Sequence, residues 1–186
     1  MSYRELSEAV LDEIRDCMAK TSEKQYENAL ALRDGAKRVF VCGAGRSRLA
    51  GAAFAMRLIH MGCEAYLVGE VTTPAIGEDD LLVVCSGSGE TKSMKLFADT
   101  AVKNGAKVLL FSTKDTSSIA AESDCLVVIR AKAMKNAEAD NVKSVQPLSN
   151  LFAQALGLTM DMLVIDLMRK RNVDESLLKG THANLE

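Results

Sequence analysis

The sequence predicts an α/β protein, a three-layer α/β/α sandwich around a five-stranded parallel sheet. Two observations lead to this prediction. Short runs of β-branched and aromatic residues, apolar at nearly every position, alternate with stretches of helical spacing. Strands that are apolar on both faces belong to a sheet that is covered on both sides, and alternation with helices makes such a sheet parallel, with right-handed crossovers.

The elements follow in a clear order. Residues 3–19 place apolar side chains at three- and four-residue steps and predict an amphipathic helix, and a second helix begins after a Thr-Ser pair and ends at Gly35. The segment between the second and third strands is too short for a full helix and predicts a loop. The predicted strands are 38–43, 65–70, 81–86, 107–112 and 125–130, and the predicted helices between them are 47–61, 91–104 and 116–123.

The C-terminal part continues with a polar segment at 132–147 and a long helix at 148–172 that is apolar around most of its circumference. A helix that packs on a single core needs only one stripe of apolar side chains. This helix is therefore expected to pack on its own sheet and also on another subunit of a homo-oligomer. The length favours a single domain over 1–186. Its parts are N-terminal helices at 1–36, a core at 37–131, the polar segment, the final helix and a tail at 173–186.

Composition excludes several classes of function. Of the 186 residues 48% are hydrophobic and 26% are charged, as in ordinary globular proteins, and the net charge of −2 argues against nucleic-acid binding through bulk positive charge. The five cysteines are widely spaced and there are only two histidines, so no metal site is expected. The N-terminus has no apolar signal core and no apolar run reaches membrane-spanning length, so we expect a cytoplasmic protein with no membrane segment.

Two glycine-rich loops follow predicted strands, where ligands bind in open parallel sheets. In CGAGRSRLAG (42–51), Gly45 permits tight backbone geometry, Arg46 can pair with an anion, and the Ser47 hydroxyl can cap the next helix or donate to a ligand. A glycine-rich turn alone is most often only a turn, and a serine before a helix only a cap.

The second loop, SGSGET (86–91), favours phosphate binding more strongly. Ser86, Ser88 and Thr91 supply hydroxyl donors, while Gly87 and Gly89 let backbone N–H groups turn inward beside a helix N-terminus. Two such loops in one sheet predict a small-molecule phosphomonoester site.

A dinucleotide site is the weaker alternative. GAGRSR follows a strand, and Glu70 ends the next strand where a ribose-binding acid could lie. However, Arg48 replaces the third glycine of the dinucleotide motif and would crowd the packing of helix on strand. An NAD-dependent oxidoreductase is therefore disfavoured.

The succession strand, GAGRS, helix, then strand, SGSGET, helix resembles the sugar isomerase (SIS) domain, which binds phosphosugars. The motifs GAGRS, AFAMRLIHMG, VGEVTTP, SGSGET, QPLSNLF and HANLE follow the order of the 6-phospho-3-hexuloisomerase family over nearly the whole chain. The resemblance implies a tetramer that interconverts D-arabino-3-hexulose 6-phosphate and D-fructose 6-phosphate through a cis-enediol. This reaction belongs to the ribulose monophosphate pathway of formaldehyde assimilation and needs no cofactor.

The resemblance also implies roles for residues. His182, in the terminal HANLE motif, would reach the site of a neighbouring subunit. The phosphate would be held by Ser47, Ser86, Ser88 and Thr91, with backbone help from Gly87 and Gly89. The predicted substrate-binding residues also include Gly45, Arg46 and Glu90, which lie in the same two loops.

Two positions depart from the family pattern. Ala153 stands where the family usually has the glutamate proposed as the base, in LFAQ instead of LFEQ, and Arg48 replaces a glycine. Alanine cannot take a proton, which leaves His182, Glu90 and Glu70 as candidate bases, although Glu90 could serve only the helix dipole and Glu70 only its loop. A SIS-fold phosphosugar-binding or regulatory protein that has lost catalysis is the second hypothesis.

Overall fold

The computed structural model describes residues 1–133 and 139–184; part of the predicted polar segment and the end of the predicted tail lie outside the described residues. A single turn of 3₁₀ helix occupies Ala120–Glu122. The strands are β1 (Arg38–Gly43), β2 (Glu64–Leu67), β3 (Leu81–Cys85), β4 (Lys107–Ser112) and β5 (Cys125–Val128). The helices are α1 (Tyr3–Ala19), α2 (Glu23–Gly35), α3 (Arg46–His60), α4 (Lys92–Lys103), α5 (Asn150–Arg171) and α6 (Glu175–Gly180).

The five strands form one parallel sheet in the order β2-β1-β3-β4-β5, which confirms the predicted fold class. From β1 the chain crosses first to β2 on one side, and the later strands then extend the sheet from β3 on the other. The connections therefore diverge between the carboxyl ends of β1 and β3, and a crevice at such a switch point is the usual ligand site of open α/β sheets.

Alternate strand residues face two apolar layers, as buried parallel strands require. On one face, Val39, Val41 and Val83 pack with α3, α5 and the N-terminal helices. On the other face, Phe40 and Val84 pack with α4 and the 3₁₀ turn.

The two N-terminal helices attach to parts of the chain that are far away in sequence. The side-chain oxygen of Gln25 in α2 accepts a hydrogen bond from the backbone N–H of Val128 in β5, 103 residues later, at 2.9 Å. In α1, the Glu13 carboxylate accepts from the hydroxyl of Ser144 and the backbone of Val145, both at 2.6 Å. Both helices therefore depend on the C-terminal half for their positions.

Among the described residues, one helix, α5, is long and apolar enough to cross a membrane, judged by length and composition alone. Ten of its residues are buried, and it packs on α3, α1 and α2. Its outer face still exposes Leu158, Met162 and Ile165 by 38–47%. The helix is thus the core helix that the sequence predicts, with apolar surface left over.

Two element predictions were wrong in detail, and one helix was missed. The predicted helix at 116–123 is only the 3₁₀ turn, because the backbone N–H of Ser118 donates to the Glu90 carboxylate and that of Ile119 donates to the Gly89 carbonyl. The second strand ends at Leu67 and not at residue 70, because the chain turns there and Gly69 has a φ of 96°. The tail contains α6, which the sequence analysis did not predict.

Candidate active site

A cleft of about 710 Å³ lies at the switch point, between the loops that follow β1 and β3 and the beginning of α5. It contains residues from both glycine-rich loops. The described residues that line it are Ala44, Gly45, Arg46, Ser47, Gly87, Ser88, Glu90, Thr91, Lys92, Lys114, Ala133, Leu148, Ser149, Asn150 and Phe152.

Hydroxyl groups of the SGSGET loop are held in place by contacts within the loop. Ser86 is 4% exposed, and its Oγ lies 3.2 Å from Oγ1 of Thr91. The Ser88 Oγ accepts a hydrogen bond from the backbone N–H of Glu90 at 3.2 Å, which leaves its own proton available for donation to a ligand.

The two glycines of this loop lie close to the residues around them, and at Gly89 the packing leaves no room for a side chain. At Gly87, an added Cβ would lie 3.3 Å from the ring of Phe152. At Gly89, φ is 63° and a Cβ would lie 2.1 Å from Oγ of Ser117, a distance that no side chain tolerates. The loop therefore lies directly against α5 on one side and against the segment after β4 on the other.

The loop after β1 has a similar dependence on glycine. Gly45 precedes α3 with φ 55° and ψ −130°, a conformation that is open only to glycine. A Cβ on Gly43 would lie 2.9 Å from the backbone nitrogen of Arg48, so the strand and the helix approach too closely for any other residue. Ser47 is thereby placed in the first turn of α3, at the wall of the cleft.

Three helices begin at the cleft, and none of them has a side-chain cap. Helices α3, α4 and α5 lack both a capping side-chain hydrogen bond and an acidic residue in the first turn. The other three described helices are capped by Ser2, Ser22 and Asp174, and each has a glutamate in its first turn. Unpaired N–H groups and the positive end of the helix dipole both favour an anion. Three such helix ends at one cleft therefore favour a multiply charged anion such as a phosphate.

The charges of the residues that line the cleft also favour an anion. Arg46, Lys92 and Lys114 are cationic, and Glu90 is the only carboxylate among the described lining residues. The Glu90 carboxylate accepts from the hydroxyl of Ser118 at 2.7 Å and from its backbone N–H at 2.8 Å. These hydrogen bonds lower the pKa of Glu90. An ionised carboxylate that is held in this way fastens two loops together and is a weak proton acceptor.

The other two candidate bases, Glu70 and His182, are not among the described residues that line the cleft. Glu70 forms an ion pair with Arg48 at 2.9 Å beyond the end of β2. The ring of His182 lies against that of His60, with centroids 5.2 Å apart and the two planes tilted by 36°. His60 ends α3, and a helix of 15 residues places that end about 22 Å from the Gly45 end that lines the cleft. The imidazole of His182 is therefore not brought to the cleft of its own subunit, and its predicted role at a neighbouring one stays a prediction.

Ala153 lines a second groove of about 460 Å³, which adjoins the cleft. Arg46 lines both. A carboxylate at position 153 would consequently face the same groove as this guanidinium, and alanine leaves that position with no ionisable group.

Sequence reasoning missed part of the cleft wall. Lys92, Lys114, Ser149 and Asn150 line the cleft but were not predicted as site residues. The signal for Lys114 was the polar run TKDTSS (113–118) directly after the fourth strand, which has the same position relative to the sheet as the two glycine-rich loops.

Comparison with known proteins gives a consistent result. A model of the SIS domain matches residues 34–164. The chain is 35% identical to the 3-hexulose-6-phosphate isomerase of Bacillus subtilis over 186 residues, the whole of both chains. It is 38% identical to that of Mycobacterium gastri over 177 residues, 95% of this chain and 88% of the other. A crystal structure from Methanococcus jannaschii, from which a molecular function of 3-hexulose-6-phosphate isomerase was inferred, superposes with a TM-score of 0.82 at 26% identity, covering 98% and 99% of the two chains.

Proposed function

The chain belongs to the SIS domain family, and from this premise we propose that it is a phosphosugar isomerase that interconverts D-arabino-3-hexulose 6-phosphate and D-fructose 6-phosphate. The names of the full-length relatives supply the substrate. The observation that supports it most directly is the convergence of three uncapped helix N-termini on a cleft lined by serine hydroxyls.

The chemistry matches what the cleft offers. The 6-phosphate binds at the SGSGET loop, where hydroxyls, backbone N–H groups and the start of α4 meet. Conversion moves the carbonyl from C3 to C2: a base removes the C2 proton, a cis-enediol forms, and a proton returns to C3. Arg46 and Lys114 offset the negative charge of the phosphate and of the enediolate. No redox step occurs.

In this proposal the base is not one of the described residues that line the cleft of the same subunit. It comes from a neighbouring subunit. Exposed apolar side chains on α3 and α5, Leu49 among them at 70%, give the molecule a surface on which a second copy can pack. In a homotetramer of this kind a neighbour contributes His182. We place the enzyme in the cytoplasm, in the ribulose monophosphate pathway.

The test is a coupled assay of purified protein that follows fructose 6-phosphate formed from 3-hexulose 6-phosphate. Ala153→Glu is assayed beside it, with Ala153→Gln as a control of nearly the same shape that cannot transfer a proton. Wild-type turnover supports the proposal, and His182→Asn is then expected to reduce kcat roughly 10²–10⁴-fold, the usual effect of losing a base.

The second candidate is a phosphosugar-binding protein without catalysis. It is favoured by a specific observation: among the described residues that line the cleft, the only carboxylate is Glu90, which is occupied by Ser118, and none is a histidine. Binding of fructose 6-phosphate without wild-type turnover, together with activity in Ala153→Glu but not in Ala153→Gln, would select this candidate.

A further inference from the structure

Cys63 differs from the other four cysteines. Cys17, Cys42, Cys85 and Cys125 are buried, and burial is the main cause that raises the pKa of each thiol, to about 12 for Cys17 and Cys42 and about 11 for Cys125. Buried thiols of this kind are inert. Cys63 is partly exposed, at the turn between α3 and β2.

Arg171 contacts the Cys63 sulfur. Nη1 of Arg171 donates to Sγ at 3.4 Å, while its Nε and Nη2 hold the Asp34 carboxylate and carbonyl at 2.8 and 3.0 Å. Lys170 also pairs with Asp34, at 2.8 Å. The one carboxylate of this cluster is thus shared by two cations, and the positive charge of Arg33 remains without a carboxylate partner among the described residues.

Arg33 is the buried cation of this cluster. Its side chain is 2% exposed, and its Nε has no hydrogen-bond partner in the part of the chain that the structure describes. Burial lowers the pKa of this guanidinium, and the neighbouring sulfur of Cys63 is the leading influence that raises it. A buried cation without an ion-paired carboxylate is costly, and Arg33 adds its positive charge to that of Arg171 in the surroundings of the Cys63 sulfur.

We propose that Cys63 is a peroxide-reactive thiol, whose partly exposed sulfur lies against the guanidinium of Arg171 and near the buried cation of Arg33. The thiolate sulfur attacks one oxygen of hydrogen peroxide, the S–O bond forms as the O–O bond breaks, and the hydroxide that leaves takes up the proton that the thiol had released to the buffer. Sulfur is oxidised by two electrons to a sulfenic acid and the peroxide is reduced to water. The residue precedes β2 at the amino edge of the sheet, opposite the cleft, so this reaction is separate from the proposed isomerisation.

The experiment exposes the purified full chain to hydrogen peroxide with a dimedone-type probe and quantifies labelled cysteine peptides by mass spectrometry. Cys63 is expected to be labelled about tenfold faster than any other cysteine, and Cys63→Ser to lose that label. Equal or slower labelling of Cys63 would overturn the proposal.

Three variants separate electrostatics from exposure. Arg171→Gln removes the charge beside the sulfur and is expected to slow labelling at least about threefold, whereas Arg171→Lys keeps most of the rate. Lys170→Gln is the matched control, because Lys170 also binds Asp34 but does not contact the sulfur. Its labelling is expected to match wild type. If Lys170→Gln slows the reaction as much as Arg171→Gln, with both folded by circular dichroism, the effect comes from the Asp34 anchor and the proposal fails.

Discussion

Replacement of Ser88 by alanine tests the phosphate site most directly. In the free protein the side chain is half-buried and accepts one hydrogen bond, from the backbone of Glu90 at 3.2 Å, so its loss is expected to cost about 1 kcal/mol of stability or less. A hydrogen bond to a charged group contributes about 1.5–3 kcal/mol, so loss of a donor to the phosphate raises the Kd roughly 10- to 150-fold.

The assay is isothermal titration calorimetry with fructose 6-phosphate, accompanied by thermal melting of each variant. Unphosphorylated fructose is the control ligand, and Ser88→Ala is expected not to change its weak binding. Ser123→Ala is the control variant, because its hydroxyl donates to the Ala120 carbonyl at the opposite edge of the sheet. A Kd for Ser88→Ala within about threefold of wild type, with an unchanged melting temperature, would refute the assignment.

Three further predictions concern the loops and the sheet. In a urea titration, Gly89→Ala is expected to lower the free energy of unfolding by more than about 1–2 kcal/mol, because φ is 63° and the Ser117 side chain occupies the space of the added Cβ. Gly77→Ala is the control: its added Cβ meets no atom within 4 Å, so little effect is expected. Burial acts to raise the pKa of Asp80, but hydrogen bonds from Arg38 and from the Gly77 backbone hold it below its usual value. This carboxylate therefore stabilises the fold above about pH 4, and the contribution disappears as the pH falls. Asp80→Asn is expected to cost about 3 kcal/mol at pH 7 and much less at pH 3; equal costs at both pH values would contradict the argument. Glu90→Gln is expected to retain kcat within about tenfold if Glu90 only fastens loops, and a loss of 10²–10⁴-fold, the usual range for a base, would instead identify it as the proton acceptor.

The sheet could be predicted because each buried strand is a compact apolar run, and a parallel order follows from the helices between the runs. The segment at 116–123 could not be predicted, because its local spacing is helical while the partners of its backbone lie in another loop. Ser118 and Ile119 donate to Glu90 and Gly89, which are about 30 residues away. Such non-local hydrogen bonds outweigh a weak local preference for helix.

The same distinction between local patterns and non-local contacts explains which residues of the site could be predicted. The two glycine-rich loops are contiguous, so their glycines and hydroxyls could be recognised together. The third wall comes from the start of α5, and Lys114 comes from the loop after β4; only the folded chain brings these residues to the cleft. From the sequence alone Glu90 remained a candidate base. Its hydrogen bond from Ser118 could not be foreseen, because it depends on a loop conformation that no local pattern encodes.

The attachment of α1 and α2 has a consequence for biosynthesis. The partner that Gln25 needs lies 103 residues further on, and the Glu13 contacts to Ser144 and Val145 lie more than 130 residues further on. At a translation rate of about 5–20 residues per second, these helices leave the ribosome roughly 5–25 s before the strand and segment that receive them. During that interval their apolar faces have no native partner, so the nascent chain is exposed to aggregation at its beginning and is secured only when its end has been made.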